Sequence, residues 1–569
     1  MTYSRVEGMA KAYAAEGGGL YRNEGLKTAI IDALEWLYMN KYNETYEFTK
    51  LYGNWWTWYI GLPKKLSEIL ILMYGELPDE LFKKEIRTLE HFNEDPTRHY
   101  GVDGIESSLD SANLADTCLI AVLRASAAED PLAMQMAAEA FVTIFPYVES
   151  ENGFYEDGSC IQHKNLAYTG AYGSVLLNGA ERVLALLRGT PWEPMDDTIN
   201  NVFAWIMNGY FPLMADGGMM SMVSGRSVAR PSNSEVNAAK GVLRPMAMLA
   251  ELAPDEIKSQ MQETIKFQLF EVMRYDKNYL DNLSLEGLRS VRELLEDKSI
   301  SGDKKKLYHK NFGAMDKVTH HAEKFSLGIS MYSNRISGYE IGNYENKKGW
   351  HQSDGVLYLY NGDQEQYSND YWPTVDPHRL AGITTDHTEG SSVQWANYTS
   401  SKSWVGGTSI LGRYGATGMD FEGENTSLTA NKSWFTFDNE VVALGADISS
   451  DEDKMTETIV ENRKIRGDGS NTLIVDGMAL TEKEAVMEMT WALLEGNGNE
   501  SQNIGYYFPD KTMVDVRREE RTGNWKDING NIKEGSEDDR DIIKIMSVLR
   551  FHMEQCLLEP LTVMFCFRE

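Results

Sequence analysis

The stretch GFYEDGSCIQHKNLAYTGAYGS, residues 153–174, places an imidazole and two phenols in a polar, glycine-interrupted segment ahead of a predicted helix. His163 and Tyr172 lie nine residues apart, and Tyr168 lies between them. Both side-chain types can donate or accept a hydrogen bond and can transfer protons. The glycines allow a substrate to approach the backbone closely. The segment therefore indicates either a proton-transfer site or a buried Tyr–His hydrogen-bonded pair.

Two further polar motifs lie on either side of this segment. Upstream, residues 111–116 read SANLAD and supply Asn113; downstream, residues 224–230 read SGRSVAR and supply Arg226 and Arg230. Fifty residues separate Asn113 from His163, and fifty-four separate Tyr172 from Arg226. An amide, an imidazole, a phenol and two guanidiniums are thus available to one cleft.

With these residues in this order, the chain resembles polysaccharide lyase family 8, which includes the hyaluronate, chondroitin AC and xanthan lyases. The spacings match the hyaluronate and chondroitin members. The resemblance extends from about residue 20 to about residue 545, through the motifs NWWTWYIGLP (54–63), MD (315–316), SNRISGYE (333–340), EN (345–346), GW (349–350), SDG (353–355), DPHRL (376–380) and NIGYYF (503–508).

Length and composition predict a large soluble enzyme of several domains. A chain of 569 residues exceeds what one hydrophobic core usually organises. Apolar residues at 42% and charged residues at 25% are typical of globular proteins. The resemblance implies an α+β multidomain fold, with an N-terminal incomplete α/α toroid followed by an antiparallel β-sandwich domain.

The first half of the chain has helical periodicity, and the second half does not. Leu26, Ile30, Leu34 and Leu37 share one helical face. A charged stretch, residues 296–306, is the best boundary, so we predict a catalytic domain over 1–300 and a sandwich domain over 301–569. Within the second half, residues 433–444 predict a hairpin that turns near Asp438.

The C-terminal residues differ from the family pattern. The chain is family-like to about residue 545, whereas residues 551–567 look unlike the family. We therefore expect a C-terminally truncated sandwich whose tail is anomalous, with one strand edge left uncovered and prone to association.

The resemblance also implies a reaction, β-elimination at a uronate, and a role for each site residue. Asn113 would donate to the uronate carboxylate as charge develops on it, although an asparagine that opens a helix is more simply an N-cap. Tyr172 would remove the C5 proton and return it to the leaving oxygen. A phenol with an ordinary pKa of about 10 needs a nearby cation for this, and Arg226 could provide it.

The remaining site residues have two interpretations each. His163 would bind the carboxylate or act as base toward the other C5 configuration. Glu340 and Asn343 match a pair near the Tyr and Arg of chondroitin lyases, and Glu340 would orient them or form an ordinary salt bridge. Trp55 and Trp56 would stack on sugar rings, whereas Trp58 fits a hydrophobic core better. Hyaluronate lyases carry a Phe where this chain has Ser107.

The net charge of −31 argues against a nucleic-acid partner, because phosphate binding requires clustered Lys and Arg. An acidic polysaccharide substrate would then need a locally positive cleft. Screening over about 8 Å allows a local patch to prevail over distant carboxylates. The candidate cations are Lys64, Lys65, Arg98, Arg226 and Arg230.

Neither a metal nor another cofactor is predicted. The four cysteines are too few and too scattered for a disulfide framework or a zinc site. No run of eighteen apolar residues and no N-terminal leader pattern is present, so we expect no membrane association. The resemblance nevertheless implies a secreted or cell-surface enzyme, and we expect a monomer.

Two other functions remain open from the sequence. A glycoside hydrolase on a similar helical fold would need two carboxylates about 5 to 9.5 Å apart, and Glu156 and Asp157 are the candidates. An inactive carbohydrate-binding relic is the second. Among lyase substrates, the Asn-to-His spacing favours hyaluronan or chondroitin over xanthan.

Overall fold

The computed structural model describes residues 2–498, 500–553 and 561–566. It divides into two compact units. The first comprises Met1–Val148 and Val175–Val202, and the second comprises Glu149–Ser174 and Phe203–Glu569.

The first unit is helical. Its main elements are α1 (Thr2–Ala14), α2 (Glu24–Asn40), α3 (Leu62–Leu72), α4 (Asp79–Asn93), β1 (Arg98–Tyr100), β2 (Glu106–Ser108), α5 (Ser111–Ala128), α6 (Pro131–Val142), α7 (Ser174–Leu187) and α8 (Asn201–Ala204). The predicted face of α2 is confirmed, because Ile30, Leu34 and Leu37 are buried. Helix α5 is buried nearly all round, as its apolar sequence requires. Gly179 of α7 lets that helix approach Ala115 of α5 closely.

The second unit begins with the short strands that carry the glycine-interrupted segment. Strands β3 (Gly153–Phe154), β4 (Cys160–Gln162) and β5 (Leu166–Ala167) form an antiparallel sheet. A π-helical turn, Thr169–Gly173, follows. Phe154 is buried and stacks on Trp205 with 4.7 Å between ring centroids, which anchors the hairpin.

Helices and short strands continue to residue 296. They are β6 (Met214–Ala215), β7 (Gly218–Met219), α9 (Glu235–Ala250), α10 (Asp255–Tyr275) and α11 (Leu285–Glu296). The predicted linker, residues 296–306, separates α11 from the next strand. The second compact unit contains both the helices after residue 203 and the strands after residue 306. The predicted domain boundary near residue 300 therefore stays a prediction.

The rest of the second unit is a β-sandwich. Its elements are β8 (Tyr308–Phe312), β9 (Lys317–His321), β10 (Ser326–Ser330), β11 (Val356–Tyr360), α12 (Tyr371–Thr374), β12 (Thr384–Thr385), β13 (Val405–Ile410), β14 (Tyr414–Glu422), β15 (Thr429–Thr436), β16 (Glu440–Ser449), β17 (Thr456–Lys464), β18 (Leu473–Val475), β19 (Met478–Ala479), β20 (Glu484–Leu494), β21 (Ile504–Gly523), α13 (Trp525–Ile528), β22 (Ile542–Met553) and β23 (Leu561–Cys566).

Two antiparallel sheets share the sandwich core. Strands β8 to β11 form a four-stranded sheet, and the described strands from β12 onward form a twelve-stranded one. Residues from both sheets, such as Leu327, Leu357, Phe421 and Trp434, belong to one buried apolar cluster. The predicted hairpin is confirmed, because β15 and β16 pair antiparallel on either side of Asp438.

The expected anomaly at the C-terminus is only partly within the described residues, since 554–560 and 567–569 lie outside them. The backbone of β23 pairs with β16 and with β21. The tail therefore contributes a strand to the larger sheet, and the uncovered edge, which the sequence did not locate, stays a prediction. Within the described chain, no helix combines the length and apolar character that a membrane crossing requires.

Replacing Gly158 by alanine tests how tightly the β3–β4 turn is held. Gly158 has φ +87°, and an added Cβ would overlap the backbone carbonyl of Asn208. Gly477 is a matched control, with φ +88° and open space around it. We expect Gly158→Ala to lower the free energy of unfolding by about 2 kcal/mol more than Gly477→Ala, because steric overlap adds to backbone strain. Urea unfolding measures this, and equal losses would contradict it.

Candidate active site

His163 lies in a strained turn between β4 and β5. Its φ is +53°, and Lys164 follows with φ +77°. Non-glycine residues rarely adopt this backbone region, and such strain is often found at functional sites. The His163 side chain is 26% exposed, so the ring remains accessible while Nδ1 hydrogen-bonds to Glu340.

Tyr168 immediately precedes the π-helical turn Thr169–Gly173, and Tyr172 lies within it. Tyr168 is fully buried, whereas Tyr172 is half-buried. Their rings are 4.9 Å apart between centroids, and the Tyr172 ring lies 4.7 Å from that of His163. Turns of this π type are frequent at functional sites. The turn thus presents one phenol toward the accessible side and keeps the other inside.

Arg226 reaches this cluster from a short 3-10 turn, Gly225–Ala229. Gly225 has φ +52°, and a Cβ there would overlap the Tyr168 ring, so only glycine permits this approach. The backbone amide of Arg226 donates to the Tyr168 hydroxyl at 3.2 Å, and Nη1 donates to it at 3.1 Å. Nη2 donates to the Tyr172 hydroxyl at 3.4 Å.

Two buried carboxylates neutralise the guanidiniums. Glu340 accepts from Arg226 Nη1 at 2.6 Å, and also from Tyr168 and His163. Glu345 accepts from Arg226 Nε at 3.0 Å. The same carboxylate accepts two bonds from Arg230, at 2.7 and 2.8 Å. Because Arg226 and Glu340 are each about 95% buried or more, neither charge is stable there without the other.

The electrostatic environment fixes the protonation of three of these groups. Burial alone would raise the pKa of Glu340, but the His163 hydrogen bond and the Arg226 charge hold it at about 2. Burial and the Glu340 charge raise the pKa of Tyr168 well above its ordinary value. Burial opposes the charge of Arg226, yet Tyr168 and Glu340 raise its pKa. At neutral pH the site therefore holds an ionised Glu340, a charged Arg226 and a neutral Tyr168.

Trp395 completes the cluster and was not predicted from the sequence. Its ring lies 5.6 Å from that of His163, and the Arg226 Cζ lies 5.0 Å from its centroid. The side chain is 52% exposed, and a Cβ on Gly342 would meet the Trp395 ring at 2.6 Å. It comes from a loop without periodicity, so no sequence pattern distinguished it from other aromatic residues.

Asn343 lies on the chain segment that carries Glu340 and Glu345, and a different asparagine of that segment hydrogen-bonds to Glu340. Asn343 is half-buried at φ +51°, and its carbonyl accepts from the Asn531 side chain at 2.7 Å. Asn346, to which the sequence analysis gave no role in the site, donates to the Glu340 backbone carbonyl at 3.0 Å. Asn346 thereby supports the position of Glu340.

In the first unit, Asn113 is not the helix N-cap. Asp110 occupies the N-cap position of α5, and Asn113 lies in the first turn with a half-buried side chain. The alternative interpretation of Asn113, as the N-cap of a helix, is therefore wrong.

The three tryptophans of the motif at residues 54–63 differ in burial as expected. Trp58 belongs to the hydrophobic core at 3% exposure. Trp55 is half-buried and stacks on His99, with 3.8 Å between ring centroids. Trp56 is 45% exposed. The pair Trp55 and Trp56 thus remains the candidate for sugar stacking.

The cations proposed for a positive cleft in the first unit are all ion-paired. Lys64 pairs with Asp116, and Lys65 pairs with Glu7 at 2.7 Å. Arg98 pairs with Glu106 at 2.7 Å. These carboxylates offset the positive charge, so the expected patch does not consist of unpaired cations.

Glu156 and Asp157 are not arranged as a pair for hydrolysis, and the residues that the structure describes form no metal site. Asp157 accepts from the backbone amides of Ser159 at 2.8 Å and Ala314 at 3.0 Å, which marks it as a turn residue. Glu156 next to it is exposed. Across the described ranges, no cluster of His, Cys, Asp or Glu has an arrangement that could hold a metal ion.

Comparison with known families matches both halves of the chain. Residues 1–267 match the family model described as polysaccharide lyase family 8, N terminal alpha-helical domain. Residues 307–548 match the super-sandwich domain of the same family. The chain belongs to polysaccharide lyase family 8. The predicted family and the predicted order, a helical part followed by an antiparallel sandwich, are thereby confirmed.

Relatives within family 8 are named for different substrates. A xanthan lyase of Bacillus sp. (strain GL1) is 37% identical over 93% of this chain and 55% of its own length. A hyaluronate lyase of Staphylococcus aureus (strain NCTC 8325 / PS 47) is 33% identical over 95% of this chain and 68% of its own length. The structure of a Paenibacillus xanthan lyase superposes with a TM-score of 0.91 at 33% identity, over 100% of this chain and 53% of that one. The chain thus spans about half to two thirds of the length of these relatives.

Neutralising Glu340 tests the buried ion cluster. The folded pKa of about 2 lies below the ordinary 4.5, so ionised Glu340 stabilises the fold above pH 4.5, and this contribution is lost as the pH falls toward 2. We expect Glu340→Gln to lower the free energy of unfolding at pH 7 by about 3 kcal/mol.

The pH dependence separates this effect from a packing defect. Between pH 7 and pH 3, the free energy of unfolding should fall by about 2 kcal/mol more in the unchanged chain than in Glu340→Gln. Urea unfolding at both pH values measures this, with the exposed Glu534→Gln as control. Parallel losses in the unchanged chain and Glu340→Gln would contradict the assigned ionisation.

Proposed function

We propose that this chain is a polysaccharide lyase, a carbon–oxygen lyase that cleaves a uronate-containing polysaccharide by β-elimination. The reaction removes the C5 proton of the uronate, develops negative charge on its carboxylate and expels the oxygen at C4. The product carries a C4–C5 double bond, and no water is consumed.

The observation that carries this proposal is the contact between a half-buried phenol and a buried guanidinium. Arg226 Nη2 donates to the Tyr172 hydroxyl, and the charge of Arg226 is secured by Glu340 and Glu345. A hydrogen bond from a cation to an oxygen strengthens as that oxygen becomes negative. The arrangement therefore suits Tyr172 to take the C5 proton and return it to the leaving C4 oxygen.

His163 is oriented by its bond to Glu340. When neutral His163 donates from Nδ1, its Nε2 carries the lone pair. Among the described residues of this unit, none hydrogen-bonds to Nε2. His163 can therefore bind the uronate through a protonated ring, or accept the C5 proton from the opposite face through a neutral one. The second role applies to a uronate of the other C5 configuration.

Asn113 is proposed to bind the uronate carboxylate. A neutral amide donates to the uronate carboxylate without forming a salt bridge with it in the ground state, so its hydrogen bond gains strength as the enolate forms. Arg230 and Asn343 are proposed to contact the same polymer, and Trp55 and Trp56 are proposed to stack on its sugar rings.

Hydrolysis is the less supported alternative. It requires one protonated carboxylic acid and one carboxylate on either side of the bond. Glu340 has a pKa of about 2 and is buried, so it is not a proton donor at neutral pH. Glu345 accepts hydrogen bonds from two arginines. The carboxylates of the cluster thus neutralise the arginines and are not arranged as an acid–base pair.

The substrate class includes hyaluronan, chondroitin and xanthan. The spacing of the site residues favours the two glycosaminoglycans, whereas relatives named for xanthan and for hyaluronan have similar identities to this chain. We propose a glycosaminoglycan, with xanthan as the direct comparison. Polysaccharides of this class are too large to enter a cell intact, so the proposal places the enzyme in a secreted or cell-surface location. We propose that it acts as a monomer.

Tyr172→Phe tests the proton-transfer role. The change removes one hydroxyl and keeps the ring contact with His163. We expect kcat to fall by about 10² to 10⁴ or more, because positioned proton transfer contributes that factor. The assay follows the ultraviolet absorbance of the unsaturated uronate with hyaluronan, chondroitin sulfate and xanthan in separate reactions. Tyr507→Phe, on an exposed strand position, is the matched control. A Tyr172→Phe protein that keeps its rate would refute the assignment.

Asn113→Ala tests the carboxylate-binding role. We expect kcat to fall by about 10² to 10³, as for loss of an oxyanion donor. The free energy of unfolding should change by less than about 0.5 kcal/mol, because Asn113 does not cap α5. Ser126→Ala, at the other end of the same helix, is the control. A loss of stability with unchanged kcat would show that Asn113 serves the helix alone.

A further inference from the structure

A large cavity of the second unit remains unexplained by the proposed active site. Its volume is about 620 Å³, within the range of small-molecule sites. One wall comes from α10 and the segment before β6. The other comes from β8, from β13 and from the β13–β14 turn. None of its lining residues belongs to the Arg226 cluster.

The cavity is positively charged in a strongly acidic chain. Its lining contains four lysines, Lys304, Lys305, Lys306 and Lys310, and one carboxylate, Asp216. Lys305 pairs with Asp216 at 2.9 Å. Lys306 and Lys310 form no ion pair with any described residue. Against a net charge of −31, this local excess is unusual and is effective over about 8 Å.

Lys306 and Lys310 are partly desolvated. Burial lowers the pKa of Lys306, and the charge of Glu263 only partly offsets it. Burial likewise lowers the pKa of Lys310 against the opposing charge of Asp157. His309 and His321 also line the cavity, but their pKa values of about 4 and about 3 leave them neutral at physiological pH. Two lysines there thus lack a close counter-ion, and an anionic ligand would supply it.

The uncharged lining suits a sugar. Phe211, Phe267 and Tyr308 provide apolar and aromatic surface, while Asn208, Gln260 and Ser409 provide amide and hydroxyl groups. Sugar rings have apolar faces and hydroxyl edges, and ligand sites typically combine apolar walls with a few polar groups. A phosphate or a single carboxylate would leave most of this volume empty.

We propose that this cavity is a second, non-catalytic binding site for an anionic oligosaccharide segment that carries carboxylate or sulfate groups. Lys306 and Lys310 bind the anionic groups, and the aromatic wall packs against the sugar rings. Such a site holds an acidic polymer on a protein whose average field repels it. Binding here requires no elimination, so the proposal stands or falls separately from the proposed catalytic function.

The test counts binding sites by isothermal titration calorimetry in the Tyr172→Phe background, where the probe is not consumed. The probe is a chondroitin sulfate hexasaccharide, with its desulfated form to separate sulfate from carboxylate recognition. We expect two sites per chain. Changing Lys306 and Lys310 together to Gln should remove one site or weaken it by about 10- to 100-fold, because charged hydrogen bonds contribute on that scale. Lys511→Gln, an exposed lysine elsewhere, should retain both.

Two further measurements distinguish loss of the binding site from misfolding of the Gln double variant. Lys306→Arg with Lys310→Arg keeps the charge and should retain the second site. In the Tyr172→Phe protein, the hexasaccharide should protect Lys306 and Lys310 from acetylation while Lys511 reacts as it does without the hexasaccharide. A single binding site in the Tyr172→Phe protein that the Gln double change leaves intact, two sites of unchanged affinity in the Gln double variant, or unprotected lysines would each overturn the proposal.

Discussion

The structure of the candidate site depends on one constraint, the burial of the Arg226 charge. A guanidinium removed from water is stable only when carboxylates and hydroxyls satisfy it. Glu340, Glu345 and Tyr168 do so, although they come from segments more than fifty residues away in the sequence. The glycine at 225 and the strained turn at His163 are consequences of that requirement, since both bring a side chain to the same buried carboxylate.

The same constraint gives the two tyrosines of the cluster different environments. Tyr168 and Tyr172 both hydrogen-bond to Arg226, yet only Tyr168 also bonds to Glu340 and is fully buried. The buried phenol holds the guanidinium in place, and the half-buried one remains available to a substrate. Glu340 similarly orients His163 without itself reaching neutrality. Burial and the bond to Glu340 thus distinguish the two phenols, and Tyr172 is the one that we propose acts on the substrate.

Local patterns predicted the fold better than the site. The face of α2 and the turn at Asp438 follow from side-chain periodicity and turn chemistry, which depend on near neighbours. His163, Tyr172, Arg226 and Glu340 were predicted through family resemblance, and the structure brings these four together. Trp395 and the role of Asn346 were missed, because their contacts are made by loops whose positions depend on tertiary packing. The pairing of Lys64 and Lys65 with carboxylates was equally non-local.

Mass spectrometry of the reaction products tests the central claim, elimination at a uronate, most directly. The purified chain would be incubated with hyaluronan, chondroitin sulfate and xanthan separately, and the fragments compared with those from a hydrolase. The account predicts that each new non-reducing end is lighter than the hydrolytic fragment by one molecule of water, because a double bond replaces the hydroxyl. Fragments of full hydrolytic mass would contradict the account.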